Sequence, residues 1–208
     1  DYKINGLIKG ASINFLNKAN FKNINFNFNF QKDNYRFEEI SFKAEGVNFI
    51  SKKLNVKKKK NSFLIDAIVE NDQSSLNSNV LKLLNLSLEN LITEDAKFKT
   101  NNEFSLEIDE SFKVKNIILS SNINITQLKY KKLKILNNYF PEVDDVILLN
   151  NHKLNLNYKD NNLSIKGEGQ IQLNTEKVDE IKYLINKKDK DLIIDSEFFF
   201  KNLVLEQK

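Results

Sequence analysis

Ile24, Phe26, Phe28 and Phe30 alternate without a break with Asn23, Asn25, Asn27 and Asn29. Successive side chains of an extended strand point to opposite faces, so this stretch gathers its aliphatic and aromatic carbon on one face and its amides on the other. A helix would scatter the same residues around its circumference. The same period recurs along most of the chain. Phe37, Ile40, Phe42 and Ala44 continue it after a one-residue phase slip at Glu38 and Glu39, which predicts a bulge. Val47 and Phe49, then Leu54 and Val56, follow Gly46. The lysine run from Lys57 to Lys60 reads as a solvated turn into Phe63, Ile65, Ala67 and Val69. Further strands are read at Phe104, Leu106 and Ile108, at Phe112 and Val114, and at Ile123, Ile125, Leu128 and Tyr130.

A hairpin is marked by Leu154, Leu156 and Tyr158, a turn at Asp160, Asn161 and Asn162, and a return through Leu163 and Ile165. Gly167 and Gly169 bracket Glu168 before Ile171 and Leu173, and glycine inside a strand signals a bend or a close approach. Closing strands are expected around Ile193 or Ile194, Phe198 and Phe200, and Leu203 and Leu205. Three segments have helical spacing instead. Val80, Leu81, Leu83 and Leu84 follow caps at Ser74 or Ser75. Leu133, Leu136, Tyr139 and Phe140 are ended by Pro141. Val178, Ile181, Leu184 and Ile185 carry Glu176, Asp179 and Glu180 in the first turn, where carboxylates suit the helix dipole. Residues 1–208 thus read as a single β-rich segment with weak strand-strand-helix repeats near 12–86, 103–140 and 153–205. The chain begins at Asp1, contains no Met and ends on a strand-like run, so it is expected to be a piece of a larger protein.

An apolar strand face must be covered, since each Phe or Leu left in water forgoes roughly 1.5–3 kcal/mol. Three short helices cannot cover ten or so strands. The sequence therefore predicts a mainly β fold of one of two kinds: an elongated, curved antiparallel sheet forming an apolar groove, or a β-sandwich with two sheets closed on each other. The groove reading nominates Ile24, Phe26, Phe28, Phe30, Phe42, Phe63, Ile65, Phe104, Leu106, Leu156, Ile165 and Ile171 as its lining. Such a lining suits an acyl chain, which gains about 0.8 kcal/mol for each CH₂ moved out of water.

The chemistry available excludes much else. There is no Cys, hence no disulfide, no thiolate nucleophile and no Cys-based zinc site. The only histidine, His152, sits beside Asn150 and Asn151 and reads as a surface or turn residue rather than part of a triad. No G-x-S-x-G occurs, and the Gly167-Glu168-Gly169 stretch is too short for a dinucleotide fingerprint. The carboxylate groups at Asp109 and Glu110, at Glu142, Asp144 and Asp145, and at Asp189 and Asp191 read as solvated turns, and none matches a calcium loop. Net charge is +4, from 32 basic against 28 acidic residues, and Arg36 is the only arginine. Bidentate phosphate forks are therefore nearly absent, which argues against nucleic acid as a partner. Abundant Lys and Asn are read as codon bias of an AT-rich genome. No apolar run reaches the length of a membrane helix, and no signal peptide is visible. The chain is expected to be no enzyme, with no catalytic residues, cofactor or metal.

The stretch Lys153-Leu154-Asn155-Leu156-Asn157-Tyr158, the turn after it, and Leu163-Ser164-Ile165-Lys166-Gly167-Glu168-Gly169 resemble the AsmA-like family of Gram-negative envelope proteins. The Val178 to Tyr183 stretch, the closing strands from Phe198 to Leu205 and the leucine-rich segment from Leu81 to Leu88 extend the likeness. It is to the large YhdP-type members and more distantly to TamB. The resemblance implies a β-groove in the periplasm that holds or conducts phospholipid between inner and outer membranes and serves outer-membrane biogenesis. It also implies a parent protein anchored in the inner membrane, with phospholipid or another acyl lipid as partner and membrane contact made outside this segment. The alternative is a structural or adhesive β-sandwich module with a closed core and no ligand.

Overall fold

The computed structural model describes residues 2–15, 19–76, 96–111, 113–131, 143–174, 177–188 and 191–199. They form eleven strands: β1 (Lys3–Phe15), β2 (Ala19–Gln31), β3 (Asn34–Ala44), β4 (Val47–Lys58), β5 (Ser62–Leu76), β6 (Ala96–Asp109), β7 (Val114–Lys131), β8 (Val146–Lys159), β9 (Asn162–Asn174), β10 (Lys177–Lys188) and β11 (Asp191–Phe199). The strands pair in sequence order, β1 to β11, in one antiparallel sheet, and β1 does not close onto β11. At ~4.8 Å per strand, the sheet is ~48 Å wide. Its strands run to 18 residues in β7, against the usual five or six.

Turn chemistry and bulges account for this layout. Glu45 and Gly46 have φ of 48° and 90°, and Asp160 and Asn161 have 50° and 63°. Two consecutive left-handed residues make the tight turn whose twist matches a hairpin. Left-handed Gly10, Asn23, Glu39, Asn116 and Asn151 sit where the register slips by a residue. Each such bulge bends its strand, and together they curve the long sheet. Glu39 confirms the phase slip read at Glu38 and Glu39.

The sandwich does not form. In a closed sandwich the inner-face aromatics would be buried, but Phe26, Phe28, Phe30, Phe37, Phe63 and Phe104 are only half-buried. The accessible surface is 14818 Å², about half as large again as the ~10,000 Å² of a compact chain of this mass. The fully buried apolar residues make two small clusters. Val47 and Phe98 pack with Phe49 and Ile125, and Val143, Ile147 and Ile171 pack with Tyr130, Leu149, Leu173 and Ile181. Both lie toward the end of the sheet that carries the β3–β4 turn.

Two further expectations are corrected. The segment carrying Val178, Ile181, Leu184 and Ile185 is strand β10, not a helix, so the repeat near 153–205 lacks its helical part. Ile181, Tyr183 and Ile185 also alternate, and pairing with β9 on one side and β11 on the other satisfies its backbone on both edges. His152 is 2% exposed, not a surface or turn residue. The helices read at Val80–Leu84 and Leu133–Phe140, the strand start at Phe112 and the closing residues Phe200 to Leu205 lie outside the described residues.

Candidate functional site: an open apolar sheet face

Cross-strand partners share a face, so the register assigns every residue to one side. One row runs Gly6, Phe28, Phe37, Leu54, Ala67, Phe104, Leu119, Tyr158 and Leu163 from β1 to β9. The next runs Ile4, Phe30, Tyr35, Val56, Ile65 and Leu106. The opposite face carries Asn27, Asn29, Arg36, Glu38, Lys53, Asn55, Asp66 and Glu103. All twelve residues nominated from the sequence fall on the apolar face: Ile24, Phe26, Phe28 and Phe30 from β2, Phe42 from β3, Phe63 and Ile65 from β5, Phe104 and Leu106 from β6, Leu156 from β8, and Ile165 and Ile171 from β9. Eleven are half-buried, and Ile171 is 6% exposed within the second cluster.

Rings hold the open part of this face together. Phe26, Phe28 and Phe30 follow one another at centroid distances of 6.3 and 4.7 Å. Phe37 packs edge-on against Phe26 at 5.4 Å and Phe30 at 5.5 Å, and Tyr35 against Phe30 at 5.3 Å. These contacts lie within the layer, so each ring shields its neighbour's edge and leaves a face outward.

Glycine makes room for three rings. A Cβ on Gly6 would fall 2.2 Å from the Phe28 ring, one on Gly167 2.2 Å from Tyr183, and one on Gly169 2.4 Å from His152. The close approach read at Gly167 and Gly169 is thus a ring lying flat across the neighbouring strand, with Tyr183 also stacked on His152 at 6.1 Å. Neither ring nitrogen of His152 makes a hydrogen bond of good geometry, and the Asn150 backbone offers only a weak one. Burial lowers the His152 pKa, and the Asn150 backbone offsets this only in part. Burial raises that of the Tyr183 hydroxyl.

The sequence reading missed a polar belt that crosses the apolar face. Asn71 is 1% exposed, and its Oδ1 accepts from the Thr100 amide at 3.0 Å and the Thr100 hydroxyl at 2.6 Å. Its Nδ2 donates to the carbonyls of Asp72 and Phe98. Asn102 donates to the Thr100 hydroxyl at 2.8 Å and the Val69 carbonyl at 3.0 Å, and Ser121 donates to Asn102. Buried Ser51 donates to the Lys53 carbonyl at 3.2 Å. The belt meets its own hydrogen-bonding needs, so it costs little to bury. It separates the buried clusters from the half-exposed expanse around Phe28, Phe63 and Phe104. Its only signal in the sequence is the substitution of Ser51, Asn71, Thr100, Asn102 and Ser121 for apolar residues at inward positions.

Most ionisable groups are on the other face and at the turns, but Asp179, 5% exposed and paired with Ile171, and Lys187, paired with Leu163, share the apolar face with His152 and Tyr183. Asp109 accepts from the Ser111 amide and hydroxyl and the Lys113 amide, and meets Lys115 at 2.8 Å. These bonds, with that to Lys115 the largest influence, hold its carboxyl well below the usual range. It organises the β6–β7 turn. A shallow depression of about 470 Å³ on the polar face mixes Lys53, Asp66 and Glu103 with Ile68 and Ile118. Among the described residues no group of three or more His, Cys, Asp or Glu side chains is placed to hold a metal, and no helix is long and apolar enough to cross a membrane. Comparison with known proteins finds no matching family model, no similar curated protein and no similar solved structure.

Proposed function

We propose that this chain holds acyl lipid along its apolar face, as a segment of a bridge-like envelope protein that conducts phospholipid between two membranes. The observation that carries the reading is the expanse around Phe26, Phe28, Phe30, Phe63 and Phe104. It is partly exposed, its one charged cross-strand partner is Lys58 beside Phe63, and among the described residues it continues across neighbouring strands without a second layer.

The energetics favour transit over capture. A chain lying on an open face is shielded on one side, so each CH₂ gains about half of ~0.8 kcal/mol. Sixteen carbons then gain roughly 6 kcal/mol, against an association cost of at least ~4 kcal/mol. The net is weak binding that lets a lipid move along the surface. The asparagine and lysine face would stay in water. Placement in the periplasm, with the parent anchored in the inner membrane, rests on the resemblance to AsmA-like proteins.

The test is titration with a fluorescent fatty-acyl probe. The reading expects saturable binding, lost with Phe28→Asp or Phe104→Asp and kept with Asp66→Asn on the polar face. Binding that is equal in all three variants would sink it.

A further inference from the structure

Among the described residues, the two outermost strands differ from the other nine. Seven of the fifteen large hydrophobics exposed among the described residues lie on them: Ile4, Leu7, Ile8 and Ile13 on β1, and Ile193, Ile194 and Phe199 on β11. Their own charges are opposite, although Asp191 and Glu197 also face Lys188 and Lys182 on β10. β1 carries Lys3 and Lys9 and no carboxylate, while β11 carries Asp191, Asp195 and Glu197 and no cation.

Both charge sets lie on the polar face. Ile4 and Ile8 pair with Phe30 and Phe26, so Lys3, and Lys9 at the edge of the bulge, point the other way. Ile194 pairs with Ile185, which pairs with Ile165, so Asp191, Asp195 and Glu197 also point away from the apolar face. Each set spans the same interval: Lys3 to Lys9 and Asp191 to Glu197 are both six residues, or ~20 Å. An antiparallel sheet with an odd number of strands also begins and ends on strands that run the same way.

We infer that the β11 edge of one copy pairs with the β1 edge of another, extending the sheet head to tail. Strand direction makes that pairing parallel, with Lys3 near Asp191 and Lys9 near Glu197 and the apolar faces continuous across the joint. Like edges repel. A β1–β1 joint about a two-fold axis brings lysines together, and a β11–β11 joint brings carboxylates together, which destabilises both. Because the joining surfaces are different patches, the series does not close at a dimer. The second copy is the occupant on the strength of this charge match. The inference does not depend on lipid binding.

Sedimentation velocity across a dilution series of the full chain tests it. The native chain is expected to form dimers, trimers and longer species that dissociate as salt is raised, since exposed charge pairs are screened. Lys3→Glu/Lys9→Glu and Asp191→Lys/Glu197→Lys should each associate at least about tenfold more weakly, since attractive cross-strand pairs become repulsive. Circular dichroism checks that both variants keep their β content. Mixing the two restores association, because each acidic edge then meets a basic one, and this complementation separates a charge-matched joint from mere loss of fold. A native chain that stays monomeric, a species that stops at dimer, or a mixture no more associated than its components overturns the inference. So does association that Phe28→Asp abolishes and charge reversal leaves intact, which would mean that the apolar faces pair.

Discussion

Replacing Phe28 with Asp distinguishes an open apolar face from a closed core by magnitude alone. Phe28 is half-buried, contacts Phe26 and Phe30, and lies over Gly6. Full burial of a Phe is worth up to ~3 kcal/mol, so the larger part achieved here contributes roughly 2 kcal/mol. Its two ring contacts add roughly 1 kcal/mol. Asp in place of an aromatic strand residue costs up to about 1 kcal/mol more. The carboxylate keeps its water on an open face, so no large desolvation cost is added. The total is about 2–4 kcal/mol, within the ~5–15 kcal/mol stability of a typical domain. Urea unfolding followed by circular dichroism measures it from the midpoint shift at constant m. In a closed core, cavity formation would add to the cost and burying a carboxylate several kcal/mol more, so the variant would not fold. An unfolded Phe28→Asp chain, or a loss beyond about 6 kcal/mol, refutes the open-face reasoning.

Three further outcomes follow from named contacts. Burial lowers the folded pKa of His152, so the unfolded chain binds its proton first; the contribution of the neutral ring is complete above about pH 6.5 and falls as pH drops toward the folded value. His152→Leu removes that dependence and two nitrogens without a hydrogen bond of good geometry, and at pH 7.5 it should match or exceed the native chain by about 1 kcal/mol in urea unfolding. Gly167→Val drives a methyl into the Tyr183 ring and should cost about 1–3 kcal/mol. It should also return the raised Tyr183 pKa toward its ordinary value in an alkaline absorbance titration. Asn71→Ala strands the Thr100 amide and opens the belt, and a loss of about 2–3 kcal/mol is expected in thermal or urea unfolding.

What the sequence made legible was whatever depends on a local period. The alternation at Phe26, Phe28 and Phe30 fixes a face, and the nominated lining residues land on that face because a period of two leaves no other choice once strands pair in register. Glu39 was readable because a phase slip is local, and Asp160 with Asn161 because turn residues have their own backbone preferences. The choice between groove and sandwich was not readable, since both have the same pattern and differ only in what lies opposite.

Val178 to Ile185 misled because its apolar residues fit both periods. The decision lay with β9 and β11, far from it in sequence or still to come. His152 is deceptive in sequence because its flanking asparagines suggest a turn, whereas its ring lies over Gly169 across the sheet. Codon bias does not account for every asparagine, since Asn23, Asn116, Asn151 and Asn161 take left-handed backbone that few other residues accept.

The most direct test of the central claim is native mass spectrometry of the purified chain, with extraction and identification of any bound molecule. The account predicts phospholipid adducts on the native chain that are absent from folded Phe28→Asp. A clean unliganded mass under gentle ionisation, unchanged after incubation with phospholipid, would contradict it.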